Sequence, residues 1–442
     1  MLKLLLVILV VQCATAFALS KAKASSLSTN TMQKALDRKN SVCIEDARGS
    51  RLLETKVTAA AAAIPAAAPF ISPVTAASLR AVAKLLSTVG LGGYASRQGM
   101  LDKNALQVLS KLVFGLLQPC MLFVSVAQTV AGSSGGTTTW LLPMAAAFQI
   151  LLGFIIGKFM SQLVYRGDGA NYDDKCQTLT GTTFGNSGPL PFVFVDGLFR
   201  SHPNPAILAQ ANAYISLYLL GWSPMFWMFA PVTLGATEES GTPAERRAAM
   251  IKRVFSPPVT GSLLGLLVGL VPFLTKLFMT KNGLLGPLFE AMRTLGTAYV
   301  PAVVLVLAGS LFPAKTDGKA EVKESSGKKI FGQDANFVKQ IVSIYTSRFL
   351  LIPMAGFALM KALKAHVPFL AEVLKDEVLV AVLLLEACMP SAQNSTVIYN
   401  LQGKNLLAAR MARVLMAIYV LGVPAISFWI AKILSAAPAL VA

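Results

Sequence analysis

Two short polar runs, GNSGPLP at 185–191 and MPSAQNS at 389–395, each interrupt a stretch that is otherwise apolar enough to cross a bilayer. Proline has no backbone N–H and its ring clashes with the preceding turn, so Pro189, Pro191 and Pro390 cannot continue an ideal helix. Gly185 and Gly188 weaken the first site further. A carbonyl or amide freed in hydrocarbon is costly, so a broken helix persists at membrane depth only inside protein or beside a cavity. Two such breaks at corresponding places in the two halves of a chain point to the binding site of a secondary transporter.

Composition agrees with a polytopic membrane protein. Of 442 residues, 55% are hydrophobic and 14% charged, against roughly 25% charged in soluble proteins. The formal charge of +18 does not imply a nucleic-acid partner, because the basic residues sit in loops between apolar runs. Cys13, Cys43, Cys120, Cys176 and Cys388 show no CxxC spacing, which supports neither a disulfide framework nor a zinc site. His202 and His366 fall in predicted loops, and no cofactor is expected.

Residues 1–16 contain Lys3, the run LLLVILVV and Ala14-Thr15-Ala16, the pattern of a signal peptide too short to span. The junction ATAFAL resembles the signal–transit boundary of plastid proteins in algae with secondary plastids. Residues 17–74 then read as a transit peptide and an Ala/Pro-rich disordered linker. An ordinary secretory signal with a disordered tail is the alternative, so the membrane is that of a plastid envelope or of the endoplasmic reticulum.

Ten spans follow at about 75–95, 106–130, 139–163, 178–199, 207–233, 255–279, 293–312, 337–361, 378–400 and 407–434, each near the ~20 residues a crossing helix needs. The fold class is therefore all-α, with ten transmembrane helices of which the fourth and ninth are broken. Internal repetition divides them into five plus five, 75–233 and 255–434, joined by a loop at 234–254 and followed by a tail at 435–442. Tyr218-Leu-Leu-Gly221 with Pro224 in the fifth span is matched by Tyr419-Val-Leu-Gly422 with Pro424 in the tenth. Pro119 in the second span is matched by Pro301 in the seventh. An odd number of spans per repeat inverts the second copy and sets the site at the midplane between them. The Lys- and Arg-rich loops lie on one side, which places both termini on the non-cytoplasmic (or non-stromal) side.

LSKLVFGLLQPCMLF (109–123), GNSGPLP, SPPVTGSLLGLLVGLVPFL (256–274), LGTAYVPAVVLVLAGSL (295–311) and the MPSAQNS run together resemble the auxin efflux carrier family, most of all its PIN-LIKES branch. The resemblance covers roughly 75–434. It implies two inverted five-helix repeats with broken crossover helices 4 and 9, an elevator-type motion of the last three helices of each repeat against the first two, and auxin-like organic anions as substrates. Pro189 stands where the family commonly has a second asparagine, and the basic pair Arg410 and Arg413 stands where it has a polar residue.

The residues themselves describe an anion site. A half-helix beginning at Pro189–Pro191, and its counterpart after Pro390, would present N-terminal amides to the midplane, where they attract negative charge. Asn186, Ser187, Gly188, Gln393, Asn394 and Ser395 can donate hydrogen bonds to a carboxylate without burying a full charge. Phe184, Phe192 and Phe123 can pack an aromatic ring. Asp196, Arg348 and Glu386 are ionisable residues within spans that lie near the breaks or a midspan proline. A carboxyl at that depth is a candidate for coupling transport to protons, or for pairing with Arg348. The four tryptophans read as packing or interfacial anchors. The glycines of 261–269 suit close helix packing, and a homodimer through the scaffold helices is an expectation of the same pattern. Membrane lipids are the remaining partners. The alternatives to an auxin-like carrier are a carrier for another organic anion, dicarboxylate or bile-acid-like, and a non-transporting receptor. An intramembrane enzyme finds no nucleophile–base pair in the sequence.

Overall fold

The computed structural model describes residues 73–440 except 133–137, 166–171, 201, 237–247, 249–250, 252–254, 281–282, 313–334 and 438–439. The signal peptide, nearly all of the transit and linker segment, most of the loop at 234–254, the basic loop at 315–329 and part of the C-terminal tail lie outside the described residues. Chain contacts separate Met1–Ala76 from Ala77–Ala442, and the second unit carries the architecture below.

Among the described residues the chain is helical, with no strand and a single isolated bridge. The elements are α1 (Pro73–Arg97), α2 (Lys103–Gly132), α3 (Thr138–Val164), α4 (Tyr172–Thr183), α5 (Pro189–Phe199), α6 (Pro205–Thr233) and α7 (Pro257–Leu270). They continue with α8 (Pro272–Met279), α9 (Gly286–Leu311), α10 (Asn336–His366), α11 (Pro368–Val373), α12 (Glu377–Ala387), α13 (Asn394–Leu401) and α14 (Asn405–Ser435).

By length and composition six of these, α2, α3, α6, α9, α10 and α14, can cross a membrane, and a bent pair brings the number to seven. That pair, α7 and α8, occupies the segment expected to be the sixth span, and it turns by 107°. Val271 precedes Pro272 and takes an extended conformation (φ −97°, ψ 108°), as steric conflict with the proline ring demands. What remains straight in α7 is 14 residues, about 21 Å of helix.

Proline alone does not break these helices. Pro143, Pro224 and Pro424 lie inside continuous α3, α6 and α14. Pro119 and Pro353 are each preceded by one π-helical turn, Val113–Leu117 in α2 and Ser347–Leu351 in α10. The Gln118 amide donates to the Val113 carbonyl and the Ile352 amide to the Ser347 carbonyl. Widening the turn just before the proline absorbs the lost register, and it re-aims the side chains that the turn carries.

Close glycine contacts set the helix packing. A Cβ on Gly261 or Gly265 would meet the Pro119 or Phe123 backbone at 2.5 Å, so α7 lies directly on α2. Phe123, Val124, Ala127, Val268 and Phe289 close the apolar core there. The small-residue face of 261–269 is thus used within the chain, while Leu263, Leu264, Leu267 and Leu270 face outward. The repeated Tyr–Gly–Pro pattern also has one task in both halves. Gly221 of α6 packs on Pro143 of α3, and Gly422 of α14 packs on Phe349 of α10.

Candidate functional site

Both polar runs break their helices, and the two breaks meet. α4 ends at Thr183 and α5 starts at Pro189, while α12 ends at Ala387 and α13 starts at Asn394. Between them the chain is extended enough for one antiparallel bridge, Gly185 to Ser391. The Asn186 amide donates to the Pro390 carbonyl at 2.6 Å, and the Ala392 amide to the Phe184 carbonyl at 2.9 Å. The Ser391 hydroxyl donates to the Gly181 carbonyl at 2.7 Å. Backbone groups that two isolated breaks would leave bare therefore satisfy one another, which is what burial without water requires.

The carbonyl ends of the two first half-helices share a cation. Arg348, buried at 1% exposure, donates from Nε to the Met389 carbonyl at 2.9 Å and from Nη1 to the Thr182 carbonyl at 3.4 Å; its Nη2 also reaches Met389. Helix C-termini carry partial negative charge, so a guanidinium there is favourable twice over. The π turn of α10 delivers it, and Gly185 leaves the room: a Cβ at Gly185 would overlap the guanidinium.

The beginnings of α5 and α13 face the other way, onto a narrow cleft. Of the sequence-predicted residues, Asn186, Gly188, Pro189, Gln393 and Asn394 line it; Ser187, Pro191, Pro390 and Ser395 are buried beside it. Two prolines in the first three residues of α5 remove half of its first-turn donors. In α13 the Ser395 and Thr396 amides are turned onto the Ala392 and Gln393 carbonyls. Backbone amides are thus scarcer than the sequence implies, and side chains carry more of the polarity.

The two asparagines are already committed. Asn186 Nδ2 donates to the Tyr419 hydroxyl at 2.9 Å, which donates onward to the Ser391 carbonyl at 2.8 Å. Asn394 Nδ2 donates to the Tyr299 hydroxyl at 2.8 Å. By contrast both side-chain polar atoms of Gln393 lack a partner, as do Gln118 Oε1 and Ser223 Oγ, which line the same cleft. Gln118, Ser223, Tyr299 and Tyr419 were not among the residues predicted from sequence. The invisible signal was the π turn before Pro119, which turns Gln118 inward.

The aromatic partners also differ from expectation. Phe184 is buried edge-on against Phe226 at 5.2 Å, and Phe123 belongs to the α2–α7–α9 core. The rings at the cleft are Tyr299 and Trp222, the latter stacked on Phe226 with centroids 4.9 Å apart and planes at 11°.

Asp196, Arg348 and Glu386 separate. Asp196 is 41% exposed and pairs with Arg200 one turn on, at 2.8 Å, so it does not pair with Arg348; the end of α5 lies too near the surface. Glu386 is fully buried in the last turn of α12, with Ser187 beside its carboxyl group. Arg348 spends its nitrogens on carbonyls and forms no ion pair with Glu386. Polar ties also cross between the halves. Asp174 at the start of α4 pairs with Arg410 of α14 at 2.9 Å, and Asp376, capping α12, accepts from Gln210 (2.9 Å) and Tyr214 (2.5 Å) of α6.

A sequence profile described as membrane transport protein matches residues 77–430. Among curated proteins, PIN-LIKES 6 of Arabidopsis thaliana is 22% identical over 369 residues, covering 69% of this chain and 80% of the relative. PIN-LIKES 1 of the same plant is 22% identical over 363 residues, covering 73% and 72%. PIN-LIKES 7, also from that plant, is 22% identical over 379 residues, covering 74% and 89%.

Proposed function

The chain belongs to the membrane transport protein family, the auxin efflux carriers that its motifs resemble, and from that premise we propose that it is a secondary transporter of auxin-like organic carboxylate anions. As a multi-pass integral membrane protein of a transporter family, it takes a small-molecule substrate and lives among membrane lipids. The observation that carries the proposal is the buried crossing of two broken helices, with both half-helix N-termini opening onto one cleft. Positive helix ends and neutral amide side chains favour a carboxylate at that place without a fixed opposite charge.

In this reading ten crossings form two inverted repeats. α4–α5 and α12–α13 are the crossover spans, and α7 with its bent continuation is the sixth. Support comes from the matched Gly221 and Gly422 contacts and the crosswise ties of Asp174 and Asp376. The first two spans of each repeat make a scaffold, on which α7 packs α2 backbone to backbone. The last three move across it with the substrate, an elevator-type cycle. Asn186, Ser187, Gly188, Pro189, Pro191, Pro390, Gln393, Asn394 and Ser395 form the substrate site, and Glu386 is the coupling candidate that burial retains. A homodimer would use the outward leucines of α7, since its glycines are occupied. The membrane is a plastid envelope or endoplasmic reticulum, with both termini on the non-cytoplasmic side.

Flux into vesicles reconstituted with the full chain tests the proposal, using labelled indole-3-acetate against malate under an imposed pH gradient. Saturable uptake of indole-3-acetate is expected. Uptake of malate alone would move the substrate to the dicarboxylates, and binding without flux would make the protein a receptor.

A further inference from the structure

The inference concerns the carbonyl side of the crossing, and it rests on the carrier reading above. Two half-helices end there, α4 at Thr183 and α12 at Ala387. Each helix C-terminus carries roughly half a negative charge, so the pair comes to about one. Carriers built on broken helices use such ends, and unwound carbonyls beside them, to hold a coupling cation. Here a side chain takes that place. Arg348 is buried and donates from Nε and Nη2 to the Met389 carbonyl, just beyond α12, and from Nη1 to the Thr182 carbonyl in the last turn of α4. Among the described residues its hydrogen bonds all go to main-chain carbonyls.

Joining two carbonyl groups does not by itself call for a charge. A neutral side-chain amide has two N–H donors and escapes the desolvation cost of a buried cation. Tyr218, Cys388 and Glu386 face the guanidinium, yet its donors go to the two helix ends, so the charge is matched to those ends. The position is also built to receive this group. The π turn Ser347–Leu351 carries it, and Gly185 leaves the room, since a Cβ there would overlap Nη2. The positive starts of α5 and α13 face the other way, onto the cleft. We infer that Arg348 is a tethered cation, a positioning residue that permanently fills the carbonyl-lined place of a coupling ion, so that anion transport by this chain requires neither Na+ nor K+. In the reading above α10 belongs to the moving set, so the charge travels with the site and is released to neither side.

The test is counterflow of labelled indole-3-acetate in vesicles reconstituted with the full chain, at equal pH and with one salt on both sides. Wild-type rates in sodium, potassium and choline chloride are expected to agree within about twofold, and a fall of about tenfold in choline would overturn the inference. Arg348→Ala in choline is expected to lose about tenfold or more in rate. About 10 mM guanidinium should restore much of that loss and raise the melting temperature of the variant by about 2 °C, with no such gain in wild type. Extra choline, too large for the vacated place, should do neither. If the alanine variant does not fold, Arg348→Lys and Arg348→Met replace it, one charged and one neutral; the lysine variant should transport in choline and the methionine variant should not. Equal transport by those two, or a folded alanine variant that guanidinium leaves unchanged, would also overturn the inference while the carrier reading stands. Absence of wild-type flux in every salt would instead remove the carrier reading, on which the inference stands.

Discussion

Replacing Gly185 by alanine attacks the crossing at its tightest point. The added Cβ would overlap the Arg348 guanidinium, with Cζ at 2.9 Å and Nη1 at 3.3 Å, and the side chain has nowhere to retreat because it is buried at 1% exposure. Moving it breaks the hydrogen bonds to Met389 and Thr182. Each such bond from a charged donor contributes about 1.5–3 kcal/mol, and displacing one partner of a buried charged network costs about 3–5 kcal/mol. The variant is therefore expected to lose about 3–5 kcal/mol of stability. Gly115→Ala is the control, since a Cβ there meets nothing within 4 Å. Thermal unfolding in detergent, followed by tryptophan fluorescence, reads the difference. If Gly185→Ala unfolds within about 1 kcal/mol of the Gly115→Ala control, a smaller loss than one charged hydrogen bond, Arg348 does not hold the two helix ends together.

Three further outcomes follow from the same geometry. Asn186→Ala and Asn394→Ala should each weaken binding of indole-3-acetate while expression and folding persist, and Tyr419→Phe should reproduce the first; wild-type affinity in all three would detach the asparagine–tyrosine pairs from the site. Glu386→Gln should flatten the response of flux to an imposed pH gradient, whereas Asp196→Asn, at an exposed pair with Arg200, should leave it unchanged. An unaltered profile in Glu386→Gln removes that residue from coupling. Gly265→Ala should cost about 1–3 kcal/mol because its Cβ would press on the Phe123 backbone at 2.5 Å, and a stability equal to wild type in a melting experiment would mean that α7 can slide on α2.

Much of this protein is written locally. Glycine and proline act on their own backbone, so GNSGPLP and MPSAQNS announce two broken helices wherever the rest of the chain goes. Apolar runs of crossing length likewise announce a membrane protein, and the motifs announce the family. Boundaries were less legible where polar residues are buried: α4 begins at Tyr172, before the expected start at 178, because its Gln177 and threonines face other helices rather than lipid. The bend at Val271–Pro272 was missed because an uninterrupted apolar composition hides a turn that one proline imposes.

What tertiary structure alone decided is which polar groups are spent and which are left over. Arg348 meets Thr182 and Met389, Asn186 meets Tyr419, and Asn394 meets Tyr299 across separations of 41 to 233 residues. No local pattern encodes such encounters, because hydrogen-bond saturation is a property of neighbours in space. Asp196 and Glu386 look alike in sequence, yet one reaches the surface and the other is sealed inside. Gln118 looked like an ordinary residue before a proline until a widened helical turn carried it into the cleft.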